Sequence, residues 1–180
     1  MAAPIYYTAE MVRGLPDDGN RYEVVRGELL VTPAPRAWHQ EIIQRLATAI
    51  RAYLEVERIG HLFCSPADIS WGPDTLLQPD LFVVPLAQAR TMDWARMQDL
   101  LLAVEVLSPS SARADRFTKR LEYQRQDVPV YWIVDPDERR AEVWTPAAAA
   151  ARFERERLTW HPAEAGAAFE LSLAKLFKPV

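Results

Sequence analysis

Cysteine is nearly absent from this chain: Cys64 is the only one in 180 residues. A lone cysteine cannot close an internal disulfide and fits a reducing, cytoplasmic compartment. Near a strand-like segment it reads as a small buried hydrophobe rather than a nucleophile. Long apolar runs are absent as well. No stretch is long enough to span a bilayer, and Met1-Ala2-Ala3-Pro4-Ile5-Tyr6-Tyr7 has neither the basic start nor the apolar core of a secretory signal. A basic excess is also missing. The formal charge of −4 disfavours tight, non-specific coating of nucleic acid. It leaves open an enzyme acting on nucleic acid, because an acidic metal site is offset by its ion.

The length fits one domain over residues 1–180, and an apolar content of 49% supplies a real core. Thr8 caps a short helix through Arg13. Arg21–Val25 and Glu28–Thr32 flank Arg26-Gly27 and predict a β-hairpin with a two-residue turn. From Trp38 to Glu57, Trp38, Ile42, Leu46, Ile50 and Tyr53 recur at spacings of three and four, the mark of an amphipathic helix closed by Gly60. Strands are expected at 61–65, 67–71, 81–84, 101–106, 130–134 and 140–145, with a second long helix at 112–126. Residues 147–151 read as a surface connection, 152–160 as a solvated hairpin arm and 171–177 as a short closing helix. This order predicts an α/β or α+β protein, a sheet with helices packed on it.

Two acids end apolar strand-like runs. Asp80 lies in Gln78-Pro79-Asp80-Leu81-Phe82-Val83-Val84, and Glu105 in Leu102-Ala103-Val104-Glu105-Val106-Leu107. A carboxylate on so apolar a run is costly to bury without a cation. Two such runs in one sheet point to a shared divalent ion, which takes hard oxygen ligands. The alternative is a pair of solvent-exposed strand ends. Asp115, Lys119 and Tyr123 follow at steps of four and share one helical face. That face places an ammonium near the carboxylates, or else carries an ordinary Asp–Lys surface pair and a packed tyrosine. His39, in the first turn of the long helix, reads as a phosphate or carboxylate contact or as a structural histidine. Arg113, Arg116, Lys119, Arg120 and Arg125 make the second helix locally basic, either as a phosphate-facing surface or as a solvated face.

These residues together resemble the restriction-endonuclease-like, or PD-(D/E)XK, superfamily, and within it the Uma-two branch. The likeness runs from about residue 6 to 178. It is carried by Tyr22-Glu23-Val24-Val25-Arg26-Gly27-Glu28-Leu29, by Pro33-Ala34-Pro35 through His39, by Gln78-Pro79-Asp80, by Val104-Glu105-Val106-Leu107-Ser108-Pro109-Ser110 leading to Asp115 and Lys119, and by Tyr123 through Pro136. The resemblance implies that Asp80 and Glu105 hold Mg²⁺ or Mn²⁺, with the Val106 carbonyl as a further ligand. The superfamily's usual lysine falls two residues after the glutamate, where this chain has Leu107, and Lys119 matches the branch's replacement. Glu23 matches an acidic position in the first strand, as a helper at the metal or as an outward-facing hairpin residue.

The expected function is therefore metal-dependent hydrolysis of DNA phosphodiester bonds by a homodimer. Catalysis would fall to Asp80, Glu105 and Lys119, with Glu23 and His39 assisting. Two rivals stand beside it. One is an inactive nuclease-fold module that binds nucleic acid or a protein partner. The other is an interaction module that dimerises through its aromatic surface, in which Asp80 and Glu105 are merely salt-bridged to arginines.

Overall fold

The hairpin turn is written in backbone angles. Arg26 and Gly27 both take positive φ, 50° and 84°. That is the requirement of a two-residue turn matching the twist of the strands it joins. The strands are β1 (Arg21–Val25) and β2 (Glu28–Thr32), with Arg21 opposite Thr32 and Val25 opposite Glu28. Helix α1 (Ala9–Arg13) is capped by Thr8, whose side chain accepts the Met11 N–H. The structure, a computed structural model, describes residues 5–180. The first four residues of the segment read above as lacking a signal lie outside them.

Helix α2 (Ala37–Glu57) buries Ile42, Leu46 and Ile50 completely, with Trp38 and Tyr53 at the margin of the same core. It is not closed by Gly60. Arg58 takes the left-handed conformation (φ 53°) and its N–H donates to the Leu54 carbonyl at 2.9 Å. Gly60 instead opens β3 (Gly60–Cys64), where a Cβ would lie 2.7 Å from the Val84 carbonyl oxygen. Its use is close strand approach.

Strands β4 (Ile69–Ser70) and β5 (Leu76–Leu77) extend the hairpin into a four-stranded sheet ordered β2-β1-β5-β4. The central sheet also contains β6 (Leu81–Pro85), β7 (Leu102–Val106), β8 (Tyr131–Asp135), β9 (Arg140–Trp144) and β10 (Arg152–Glu154), in the order β10-β9-β8-β7-β6-β3. Short helix α3 (Leu86–Ala89) follows β6. Among the described strands only β7 and β8 are parallel, so the chain between them must cross over, and it does so as a helix. Alternation then sorts the side chains. Leu81, Val83, Val104, Val106, Trp132 and Val134 face α2, whereas Phe82, Val84, Ala103 and Ile133 face the crossover.

The crossover is not the uniform helix expected at 112–126. Ala114–Lys119 form a π-helical turn that runs into α4 (Arg120–Arg125). Such turns are rare and concentrate at functional sites. The segment expected as a solvated hairpin arm divides instead. β10 pairs with β9, while β11 (Arg157–Trp160) pairs with β12 (Phe169–Ser172). Leu158 and Trp160 are buried, so alternation along β11 fixes it to the core. The closing helix α5 shrinks to Leu173–Leu176 because β12 takes the residues before it.

Candidate active site

Four segments of the chain converge on one buried cluster. Glu23 comes from β1, Asp80 from the residue before β6, Glu105 from β7, and Asp115 and Lys119 from the π-helical turn. None of the five exceeds 2% exposure. Lys119 is the hub. Its Nζ lies 2.8 Å from Glu23 Oε2, 3.0 Å from Glu105 Oε1 and 3.3 Å from Asp115 Oδ1. The Tyr123 hydroxyl donates to the same Glu105 Oε1 at 3.2 Å.

Asp80 ties the strand ends together. Its Oδ2 accepts the Val106 N–H at 2.8 Å, which fixes it beside Glu105, and lies 3.2 Å from His39 Nε2. Its Oδ1 accepts from Arg21 Nη1 at 2.8 Å. Arg21 also donates to the Gln78 carbonyl at 3.1 Å and holds its Nε 3.8 Å from Glu23 Oε2. Glu23 Oε1 accepts the Gln78 N–H at 2.7 Å.

Burial and charge pull the acids apart. For Asp80, burial pushes the pKa up, but the His39 hydrogen bond, the Arg21 guanidinium and the Val106 N–H outweigh it and hold the carboxyl well below the usual range. Glu105 goes the other way. Burial raises it well above the ordinary carboxylate value, Lys119 opposes, and Asp115, Asp80 and Glu23 add to the rise. Burial likewise raises Asp115. Lys119 loses to burial but gains more from Glu105, Glu23 and Asp115, so it stays a firm cation.

The composition of the cluster fits a divalent ion. Its donors are hard oxygens, and four carboxylates face the two permanent cations Arg21 and Lys119. Fully ionised, the cluster carries an excess of two negative charges, which is what a divalent ion neutralises. Glu105 Oε2 is buried without a hydrogen-bond partner, an acceptor left over by the protein. Among the described residues, no three His, Cys, Asp or Glu side chains form a ready-made cage. The reason is visible in the contacts, because Lys119 and Arg21 stand between the carboxylates. A cleft of about 690 Å³ opens onto Arg21, His39, Asp80, Gln78, Ser108 and Ser111, with Glu105 and Lys119 behind that layer.

Asp80, Glu105, Lys119, Glu23 and His39 thus meet in one place, and Val106 contributes its N–H to Asp80. Several alternatives fall. Asp80 and Glu105 are not exposed strand ends, Glu23 does not face outward, and Asp115–Lys119 is no surface pair, since each is buried by the sheet–crossover contact. Most of the basic residues of the crossover are engaged within the protein: Arg116 binds Asp135 and Glu142, Arg120 stacks over Trp144, Arg125 pairs with Glu122 and Lys119 is inside, while Arg113 is exposed. Of the arginine-bridge expectation, half holds: Asp80 binds Arg21, but Glu105 binds a lysine. Sequence reasoning missed Arg21. Its signal was its place two residues before Glu23 on one strand, hence on the same face.

This architecture defines a restriction-endonuclease-like α/β domain. Residues 9–174 match the family model Uma2, described as "Putative restriction endonuclease", and the chain belongs to that family. It is similar in fold to the crystal structure of "a putative nuclease belonging to DUF820 from Anabaena variabilis ATCC 29413", with 21% identity, a TM-score of 0.77, and coverage of 95% of this chain and 97% of that one. None of the curated proteins matches the chain. Among the described residues, no helix is long and apolar enough to cross a membrane.

Proposed function

We propose that this chain is a metal-dependent endonuclease that hydrolyses DNA phosphodiester bonds, with Mg²⁺ or Mn²⁺ held by Asp80, Glu105 and the Val106 carbonyl. The observation that carries the reading is the buried excess of carboxylate, with Glu105 Oε2 left unpartnered behind the layer of Arg21, His39 and Asp80 that lines the cleft. A bound divalent ion would supply charge stabilisation to the phosphodiester and make water a better nucleophile. The protein's own residues do the rest. Asp80 stays ionised through its bonds to Arg21, His39 and Val106. Lys119 orients Glu105 and offsets developing negative charge. Glu23 keeps the Lys119 ammonium and the strand leading to Asp80 in register. His39, on the cleft side of Asp80, holds the Asp80 carboxylate in place through Nε2. One such site cuts one strand, so duplex cleavage favours a homodimer, which we place in the cytoplasm.

A second reading keeps the fold as a non-cutting module for nucleic acid or a protein partner. It is favoured by Arg21 on Asp80 and by Leu107 at the usual lysine position. One experiment separates the two. Purified protein is incubated with supercoiled plasmid, linear duplex and single-stranded DNA under Mg²⁺, Mn²⁺ or EDTA, beside Asp80→Asn. Cleavage that needs the ion and vanishes in the variant is the expected result. No cleavage of any substrate supports the module, and equal cleavage by both proteins removes Asp80 from the mechanism.

A further inference from the structure

Of the two permanent cations in the cluster, only Arg21 reaches solvent. Its side chain is 19% exposed against 1% for Lys119, and it lines the cleft whereas Lys119 does not. It is also the less firmly held. It bonds one carboxylate oxygen, Asp80 Oδ1, and one neutral acceptor, the Gln78 carbonyl, and its approach to Glu23 is 3.8 Å, beyond a hydrogen bond. Lys119 is gripped by three carboxylates. The guanidinium therefore sits on the oxygen of the first expected metal ligand, on the only side of the cluster that opens to the cleft.

We infer that Arg21 is an exchangeable counter-ion that occupies Asp80 and Glu23 in the metal-free protein and must move toward the cleft for a divalent ion to bind, so that it sets the affinity of the site. The inference rests on the metal-dependent reading above and adds to it a residue that competes with the ion. Three observations bear on it. The acids are of the right type and excess charge, yet among the described residues no three side chains already form a cage. The cleft of about 690 Å³ offers the guanidinium a hydrated position when it leaves. Withdrawing it raises the negative excess of the cluster from two charges to three, which strengthens attraction for a cation in a site shielded from water. Arg21 is a positioning residue in this scheme. A purely structural Arg21 would hold Asp80 in place as a ligand, and its loss would then weaken metal binding.

The two roles predict opposite signs. Calcium binding is measured by isothermal titration calorimetry at about pH 8, where raised carboxyl groups are more fully ionised. The proteins are wild type, Arg21→Gln and Arg21→Lys, with folding followed by circular dichroism. The expected result is tighter binding by Arg21→Gln, at least about tenfold, with Arg21→Lys between it and wild type because one ammonium replaces the fork imperfectly. If Arg21→Gln folds only when calcium is added, that too is the expected behaviour of a lost counter-ion. Arg21→Lys then carries the comparison. Equal or weaker binding by the variants, with wild type binding normally, overturns the inference and leaves the metal reading standing. No binding by any protein overturns both.

Discussion

Lys119 Nζ lies 3.0 Å from Glu105 Oε1, delivered by the helix that follows the strand and not by the strand itself. Two residues after Glu105, Leu107 is packed into the apolar cluster that also holds Tyr123 and Val25. The ammonium and its carboxylate partner thus come from different elements, the π-helical turn and β7. The π-helical turn carries Asp115 and Lys119 into the sheet together.

Among the described residues, Lys119 is the only side chain that touches three of the acids. Lys119→Met keeps much of the volume and removes the charge, leaving a buried cluster uncompensated. Breaking such a pair from one side costs about 3–5 kcal/mol, so Lys119→Met is expected to lose stability of that order. Urea unfolding in the absence of metal measures it. A divalent ion should recover part of the loss.

Tyr123→Phe is a gentler change. It removes the hydroxyl that donates to Glu105 at 3.2 Å but keeps the ring against Tyr131. Glu105 Oε1 retains Lys119. The expected loss of stability is about 1 kcal/mol, with metal-dependent cleavage retained. Denaturant titration and a plasmid nicking assay check the two halves.

Glu105 predicts an unusual pH dependence. Its folded pKa is raised, so the native state binds more protons than the unfolded state above the ordinary value of 4.5. Its stabilising contribution is full below that value and is lost as pH rises through the folded pKa. Asp80 has the opposite sign. Its contribution is present above its ordinary 3.8 and is lost as pH falls toward its depressed folded value. Metal-free protein is therefore expected to weaken as pH rises above 4.5, and Glu105→Gln to flatten that decline. Urea midpoints across the range test this.

How much of this was legible varies with the range of the interaction. The β-hairpin and α2 were readable because turn chemistry and a 3.6-residue apolar stripe act locally. Their bounds were right to within a residue, apart from the cap, where Arg58 adopted the conformation that Gly60 seemed placed to supply. The β10 and β11 strands were obscured because each takes its partner from elsewhere in the chain. The acids Asp80 and Glu105 stood out as charges on apolar strands. Arg21 did not, since an arginine in a hairpin is unremarkable until Gln78 and Asp80, more than fifty residues later, lie beside it. The neutralisation of the basic helix was equally hidden, because Asp135 and Glu142 reach Arg116 only once β8 and β9 are laid beside it.

The central claim is that the buried carboxylates serve a divalent ion in cutting DNA. Glu105→Gln tests it most directly, because the substitution preserves shape and removes one buried acid whose spare oxygen has no partner. The measurement is the nicking rate of supercoiled plasmid at saturating Mg²⁺ for wild type and Glu105→Gln, both checked as folded. The account predicts cleavage by wild type that EDTA abolishes, and a variant slower by at least about a hundredfold, the scale of losing a group that acts in the transition state. Cleavage by Glu105→Gln at the wild-type rate would contradict it.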